Sequence, residues 1–181
     1  MPVLALVPEA PPLAPPKLKL ALERREDGRA VDALVDRAFG PGRFAKTAER
    51  LREDATPASA CSWCAWSGDE LVGAVRTWPI LIGDRRALFL GPIAVDRSWR
   101  RRGLGALLVE RACEASYVAE ARIVLLVGDP PFFEPLGFEP VPAGRVRLPG
   151  PVDPRRVLWR ALDPGAFAGV EGDVRAPERR P

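Results

Sequence analysis

Residues 87–127 constrain the fold more than any other part of this chain. They read as a strand over 87–95, a basic loop holding Gly103 and Gly105, a long helix over 104–121, and the apolar run Arg122-Ile-Val-Leu-Leu-Val127. A short continuous apolar run suits a central strand covered on both faces. Strand, helix and strand in that order make a parallel crossover. Within the helix, Leu104, Leu107, Leu108, Ala112, Ala115 and Ala119 recur at helical spacing and are expected to form its buried face.

The remaining segments build a sheet around that unit. Residues 17–24 alternate charged and apolar side chains, as a half-buried strand does. Val31, Leu34, Val35 and Ala38 mark an amphipathic helix, and Phe44, Ala48 and Leu51 a second. Strands are expected over 61–66 and 71–82, joined by the turn Ser67-Gly68-Asp69. Residues 131–136 read as a short helical turn. Pro135 should distort it, because proline has no N–H to donate. Strands over 138–141 and 156–161 follow. The order is that of a mixed α/β (α+β) domain over residues 17–170, with one antiparallel meander and one parallel crossover. Residues 1–16, rich in proline, are expected as an extended arm, and residues 171–181 as a polar peripheral tail.

Composition removes whole classes of chemistry. The 181 residues include no histidine, which excludes Ser-His-Asp and Cys-His pairs, histidine zinc sites and imidazole acid–base catalysis. Three cysteines do not make a disulfide framework, so a reducing, cytoplasmic location is expected. Cys61 and Cys64 have C-x-x-C spacing, but in a strand these positions face opposite ways, and no second pair completes a tetrahedral site. Packing, and no metal, is the expectation. Cys113 on the long helix reads as a small buried hydrophobe. No apolar run reaches the roughly 18 residues of a membrane span. The N-terminus lacks the basic start and unbroken apolar stretch of a signal peptide. A net charge of +3 is too small to argue for nucleic acid.

Residues 88–112, LFLGPIAVDRSWRRRGLGALLVERA, carry the chemistry. Gly91-Pro92 lies inside a strand, where proline cannot join the ladder and glycine marks a bulge. Pairing on one side should break there, leaving the main chain of Ile93, Ala94 and Val95 for an extended ligand to pair with; an ordinary edge bulge reads the same way. Arg100-Arg101-Arg102-Gly103-Leu104-Gly105 follows. Glycines let the backbone approach a ligand, and the free N–H groups at a helix start form a donor-rich hollow suited to phosphate. The first helical turn holds no acidic residue to complement the helix dipole, and three arginines precede it. A bound anion would do so; a solvated basic turn is the plain alternative. The loop matches neither G-x-x-x-x-G-K-[ST] nor G-x-G-x-x-G, so another phosphate-loop nucleotide protein is a weaker reading.

These residues resemble a known family. Arg-x-x-Gly-x-Gly after a bulged strand is similar to the acetyl-CoA motif of the GNAT superfamily of N-acetyltransferases. Leu126-Val127-Gly128-Asp129-Pro130, then Phe132-Phe133 and Leu136-Gly137-Phe138, resemble its YhbS-like branch. The resemblance covers about residues 17–170. It implies the GNAT acyl-CoA N-acyltransferase fold, a mixed central sheet splayed into a V with flanking helices. It also implies an enzyme that moves acetyl from acetyl-CoA to a primary amine by direct attack. The implied cosubstrate-binding residues are Ile93, Ala94 and Val95 along the pantetheine arm, Arg100, Arg101, Arg102, Gly103, Leu104, Gly105 and Ala106 at the phosphates, and Phe133. The expected partner is a small-molecule or peptide amine, with no nucleic acid and no membrane. The third strand and both terminal arms are candidate dimer surfaces.

The chain departs from the family at one point. Many members place a tyrosine in the short helix after the fifth strand, where it protonates the leaving thiolate; here Phe132 and Phe133 stand, with no proton to give. Either water protonates the thiolate, or it leaves unassisted, or the protein is a non-catalytic acetyl-CoA-binding module. Asp129 is the first candidate for the base, with Glu134 and Asp84 behind it; an N-cap for the following helix is its structural alternative. Trp63, Trp66, Trp78 and Trp99 fall near the expected site. Trp78 is a candidate for lining an acceptor pocket, or for packing.

Overall fold

The structure, a computed structural model, describes residues 17–40, 47–52 and 55–177. Along the chain run β1 (Leu18–Leu22), α1 (Gly28–Phe39), α2 (Thr47–Arg50), β2 (Trp63–Ser67), β3 (Glu70–Ile82) and β4 (Arg85–Val95). Then come α3 (Leu104–Val118), β5 (Ile123–Val127), α4 (Pro130–Phe133), β6 (Glu139–Pro140), β7 (Val146–Arg147), β8 (Val157–Ala161) and β9 (Gly172–Arg175). Strands β1 to β4 form the antiparallel meander, α3 carries the chain to a parallel β5, and β8 returns antiparallel to β5. The expected mixed sheet, with one meander and one crossover, is present.

Alternation along the strands sends residues to two faces. Val75, Leu90, Val124 and Leu126 meet α3, which buries Leu104, Leu108, Val109, Ala112 and Cys113 against them. On the other face α1 lays Val31, Leu34 and Val35 over Cys64, Leu71, Ala74 and Ala94. Further along that face Trp78, Ile80, Phe89 and Leu125 meet Leu51, Val170 and Val174. The expected α3 face is thus rotated: Leu107 is exposed, while Val109, Cys113 and Ser116 are buried. Apolar residues surround much of this helix, so spacing alone did not fix its phase. Ser116 is tolerated inside because its hydroxyl donates to the Ala112 carbonyl at 2.6 Å.

Several boundaries move. Cys61 lies in a 3-10 turn (Ser59–Cys61) before β2, not in the strand. Burial pushes the thiols of Cys64 and Cys113 up to about 12. The helix over 130–136 changes to 3-10 geometry at Glu134, next to Pro135, as the missing N–H requires. Phe44 and the arm 1–16 lie outside the described residues. Residues expected as a tail supply β9, which pairs with Leu81 and Ile82 of β3 and buries Val174. Strand β3 is therefore interior, flanked by β4 on one edge and by β2 and β9 on the other. The outer strand of the meander is β1.

Candidate functional site

Strands β4 and β5 begin as neighbours and then part. Their parallel pairing covers Leu88 with Val124 and Phe89 with Leu125. Just beyond, the β3–β4 register breaks: Thr77 faces Leu90, but Val75 faces Ile93, so Gly91 and Pro92 together oppose one residue of β3. This is the bulge expected at Gly91-Pro92. Gly91 has φ +129°, and a Cβ there would stand 3.1 Å from Arg52 Nη2. The Gly91 carbonyl, removed from the ladder, accepts from the Trp78 indole N–H at 2.7 Å. A buried carbonyl left unpaired would cost about 1–3 kcal/mol.

After the bulge, the direction of each main-chain group can be read. The Asp96 amide donates to the Val72 carbonyl on β3 at 2.8 Å. In an antiparallel pair successive residues alternate sides. Ala94 therefore faces β3, while Ile93 and Val95 turn their N–H and C=O groups to the open side of β4. Consistent with this, the Val95 carbonyl accepts from Arg100 Nε at 3.2 Å.

The loop into α3 holds a second set of donors. Asp96 accepts from the amide and hydroxyl of Ser98, which pins the loop and holds the Asp96 carboxyl below the usual range. Arg101 and Gly103 have left-handed backbones, with φ of 60° and 78°. Gly103 is the N-cap and supplies no side-chain cap, and no acidic residue occupies the first turn. The amides of Leu104, Gly105 and Ala106, first in the helix, have no carbonyl one turn back to bond. A Cβ on Gly105 would stand 3.3 Å from the Phe132 ring, so glycine lets α4 approach α3 closely.

Fork and loop open into one cleft of about 850 Å³. It is lined by Ile93, Val95, Arg100, Arg101, Gly103, Leu104, Gly105, Ala106, Asp129 and Phe133, all expected from the sequence. Ala94 is buried beneath α1 and Arg102 lies over the Trp99 ring; neither lines the cleft. Phe132 exposes 43% of its surface, whereas Phe133 is 8% exposed and packs edge-on against Phe132 and Phe138. Gly128 makes room for that ring, since a Cβ there would collide with the Phe133 ring edge. Asp129 occupies the N-cap position of α4, but its side chain makes no capping bond. Asp84, by contrast, sits in the β3–β4 turn at the far end of the sheet and reaches Arg175 at 3.9 Å, so it is no base for this cleft. Glu134 is exposed and does not line the cleft.

Other lining residues carried no signal in the sequence. Glu49 in α2 and Arg52 just after it form an ion pair at 2.7 Å, and Arg52 lies 5.5 Å above the Phe89 ring, on the sheet face opposite α3. Arg156 donates to the Gly128 carbonyl at 3.1 Å. The fold brings Arg52 to Phe89, and Arg156 to Gly128, across about 30 positions of sequence. Of the tryptophans, Trp99 lines the cleft, Trp78 packs beneath the bulge, and Trp63 and Trp66 belong to the core packing of β2. Among the described residues no group of three or more Cys, Asp or Glu could hold a metal ion, and no helix is long and apolar enough to cross a membrane.

Comparison with known proteins agrees with this geometry. Residues 29–138 match the acetyltransferase (GNAT) family. The chain is 27% identical over 150 residues to the uncharacterized N-acetyltransferase YhbS of Escherichia coli K12, covering 82% of this chain and 89% of that one. A solved structure of a GNAT family N-acetyltransferase (YhbS) from E. coli in complex with CoA superposes with a TM-score of 0.77 at 25% identity, over 91% of this chain and 92% of that chain. A GNAT family acetyltransferase from Brucella melitensis, in complex with acetyl-CoA, shares the fold with a TM-score of 0.66 at 22% identity, over 90% and 97%. The matched region contains the bulged strand, the uncapped helix start and the fork, and the chain belongs to the GNAT family of acetyltransferases, an acyltransferase by descent and by fold.

Proposed function

We propose that the protein transfers acetyl from acetyl-CoA to the primary amine of a small molecule or peptide by direct attack. The observation that carries this reading is the continuity of one cleft from the bare amides of α3 to the fork between β4 and β5. The pyrophosphate would take the amides of Leu104, Gly105 and Ala106, with Arg100 and Arg101 beside them. The pantetheine arm would pair with Ile93 and Val95 on the open side of β4. That places the thioester at the fork, where a main-chain N–H of β4 polarises its carbonyl.

The amine nitrogen then attacks the thioester carbon, the C–S bond breaks, and the thiolate leaves with a proton taken from water. Asp129, at the end of β5 with its carboxylate uncommitted to capping, accepts the proton the amine loses. Holding both reactants in one cleft supplies much of the rate. The phenylalanines at 132 and 133 favour one other reading, a module that binds acetyl-CoA without turnover. Thiol release measured across a panel of small amines and peptides separates the two. Transfer is expected with at least one class, reduced about tenfold or more by Asp129→Asn. Silence across the panel, with acetyl-CoA still bound, would establish the module.

A further inference from the structure

Trp78 does more than pack. It stands opposite Phe89 in the β3–β4 register, buried in the core on the α1 side of the sheet. Its indole N–H reaches two residues along β4 to the Gly91 carbonyl, at 2.7 Å. That carbonyl belongs to the stretch where the ladder fails. Arg52 closes the space beside the same glycine. The bulge is thus fixed by a side chain of the neighbouring strand, where an ordinary strand would be fixed by its ladder.

We propose that Trp78 is a positioning residue for acetyl transfer: its indole N–H orients the Gly91-Pro92 peptide, and through it the Ile93 main chain that faces the thioester. This inference rests on the acetyl-transfer reading. Only one residue lies between Gly91 and Ile93, and it is a proline, whose ring fixes φ. Few soft dihedrals separate the anchored carbonyl from the Ile93 amide, so turning one turns the other. A donor that stabilises developing negative charge works because it is already aimed. Without the indole N–H the Gly91 carbonyl would rotate toward another donor, and the aim would be lost. The phosphate-binding amides of α3 lie on a different element and would be untouched.

The test compares the natural protein with Trp78→Phe, and with benzothienylalanine in place of Trp78, which keeps the bicyclic shape and puts sulfur where the N–H was. Three quantities are read: coenzyme A affinity by calorimetry, the infrared carbonyl stretch of bound acetyl-CoA labelled with carbon-13, and the KM and kcat of transfer. The expected result is coenzyme A affinity within about twofold, a thioester band moved back toward its solution frequency, and kcat lower by about tenfold with KM nearly unchanged. An unmoved band with unchanged kcat in either folded variant overturns the role of Trp78. So does a parallel loss of coenzyme A affinity, which would mean general damage. Should Trp78→Phe fail to fold, the shape-preserving replacement decides alone. A natural protein that binds acetyl-CoA with no band shift and transfers to no amine overturns the acetyl-transfer reading itself, and this inference with it.

Discussion

Phe132 and Phe133 are neighbours in sequence and opposites in surroundings. Both rings line the cleft, but the first is 43% exposed, while the second is 8% exposed and packs among core residues. A hydroxyl added to each should therefore act differently. Phe132→Tyr puts a proton donor on the cleft and should raise thiol release at least about threefold, with a new alkaline limb in the pH–rate profile. Phe133→Tyr buries a hydroxyl in an apolar cluster and should lower stability by about 1–3 kcal/mol, read as a shift in the urea midpoint. An identical response of both variants would contradict the assignment of the two rings. The sequence told that two tyrosine positions were filled by phenylalanine. It could not tell which ring stayed exposed and which was buried, because that depends on how Gly128 and Gly105 let α4 settle. Ala94 shows the same limit: the strand was legible, but which of its residues turned toward β3 follows from one hydrogen bond, Asp96 to Val72.

At the scale of elements, the start of α3 was the most legible part of the chain. Glycines, the lack of an acid and the preceding arginines all described it before any coordinate did. Gly103 has φ +78° and no heavy atom within 4 Å of where a Cβ would sit. Gly103→Asp should therefore meet backbone strain of about 1 kcal/mol but no clash. Its carboxylate would occupy the anion's place at the helix start. Coenzyme A affinity should fall by about 30-fold or more, roughly 2 kcal/mol, while the protein stays folded by circular dichroism. Retained affinity would mean the phosphates bind elsewhere. The buried face of the same helix was not legible, because apolar residues lie nearly all around it. The phase was chosen by the sheet beneath, and Val109 and Cys113 went in where Leu107 did not. The distortion at Pro135 could be foreseen because it follows from covalent structure alone.

For the whole molecule, the order of elements followed from periodicity and turns, the break in β4 from a single Gly-Pro pair, and the V only from the family resemblance. In the C-terminal part β6 and β8 were legible as well, but β7 and β9 were not. β7 and β9 are short, and GDVR carries no alternation that separates it from a loop. Only pairing with β3 and the burial of Val174 make it a strand. Val174→Asp should unfold that region first and lower stability by about 3 kcal/mol or more, seen as an early urea transition. Coenzyme A affinity below that transition should stay near that of the natural protein, since β9 and the cleft lie at opposite ends of β3. A loss of binding ahead of unfolding would show that the two ends communicate.

The shared edge of β3 also has a bearing on how the protein is made. One half of that edge is matched by the hairpin that precedes it, the other by a segment that leaves the ribosome long afterwards. Until then Leu81 and Gly83 present bare main-chain groups on that side, the kind of template that invites pairing with a stranger. A nascent chain stalled before residue 172 would be expected to clump, although the residues that line the cleft have all been made.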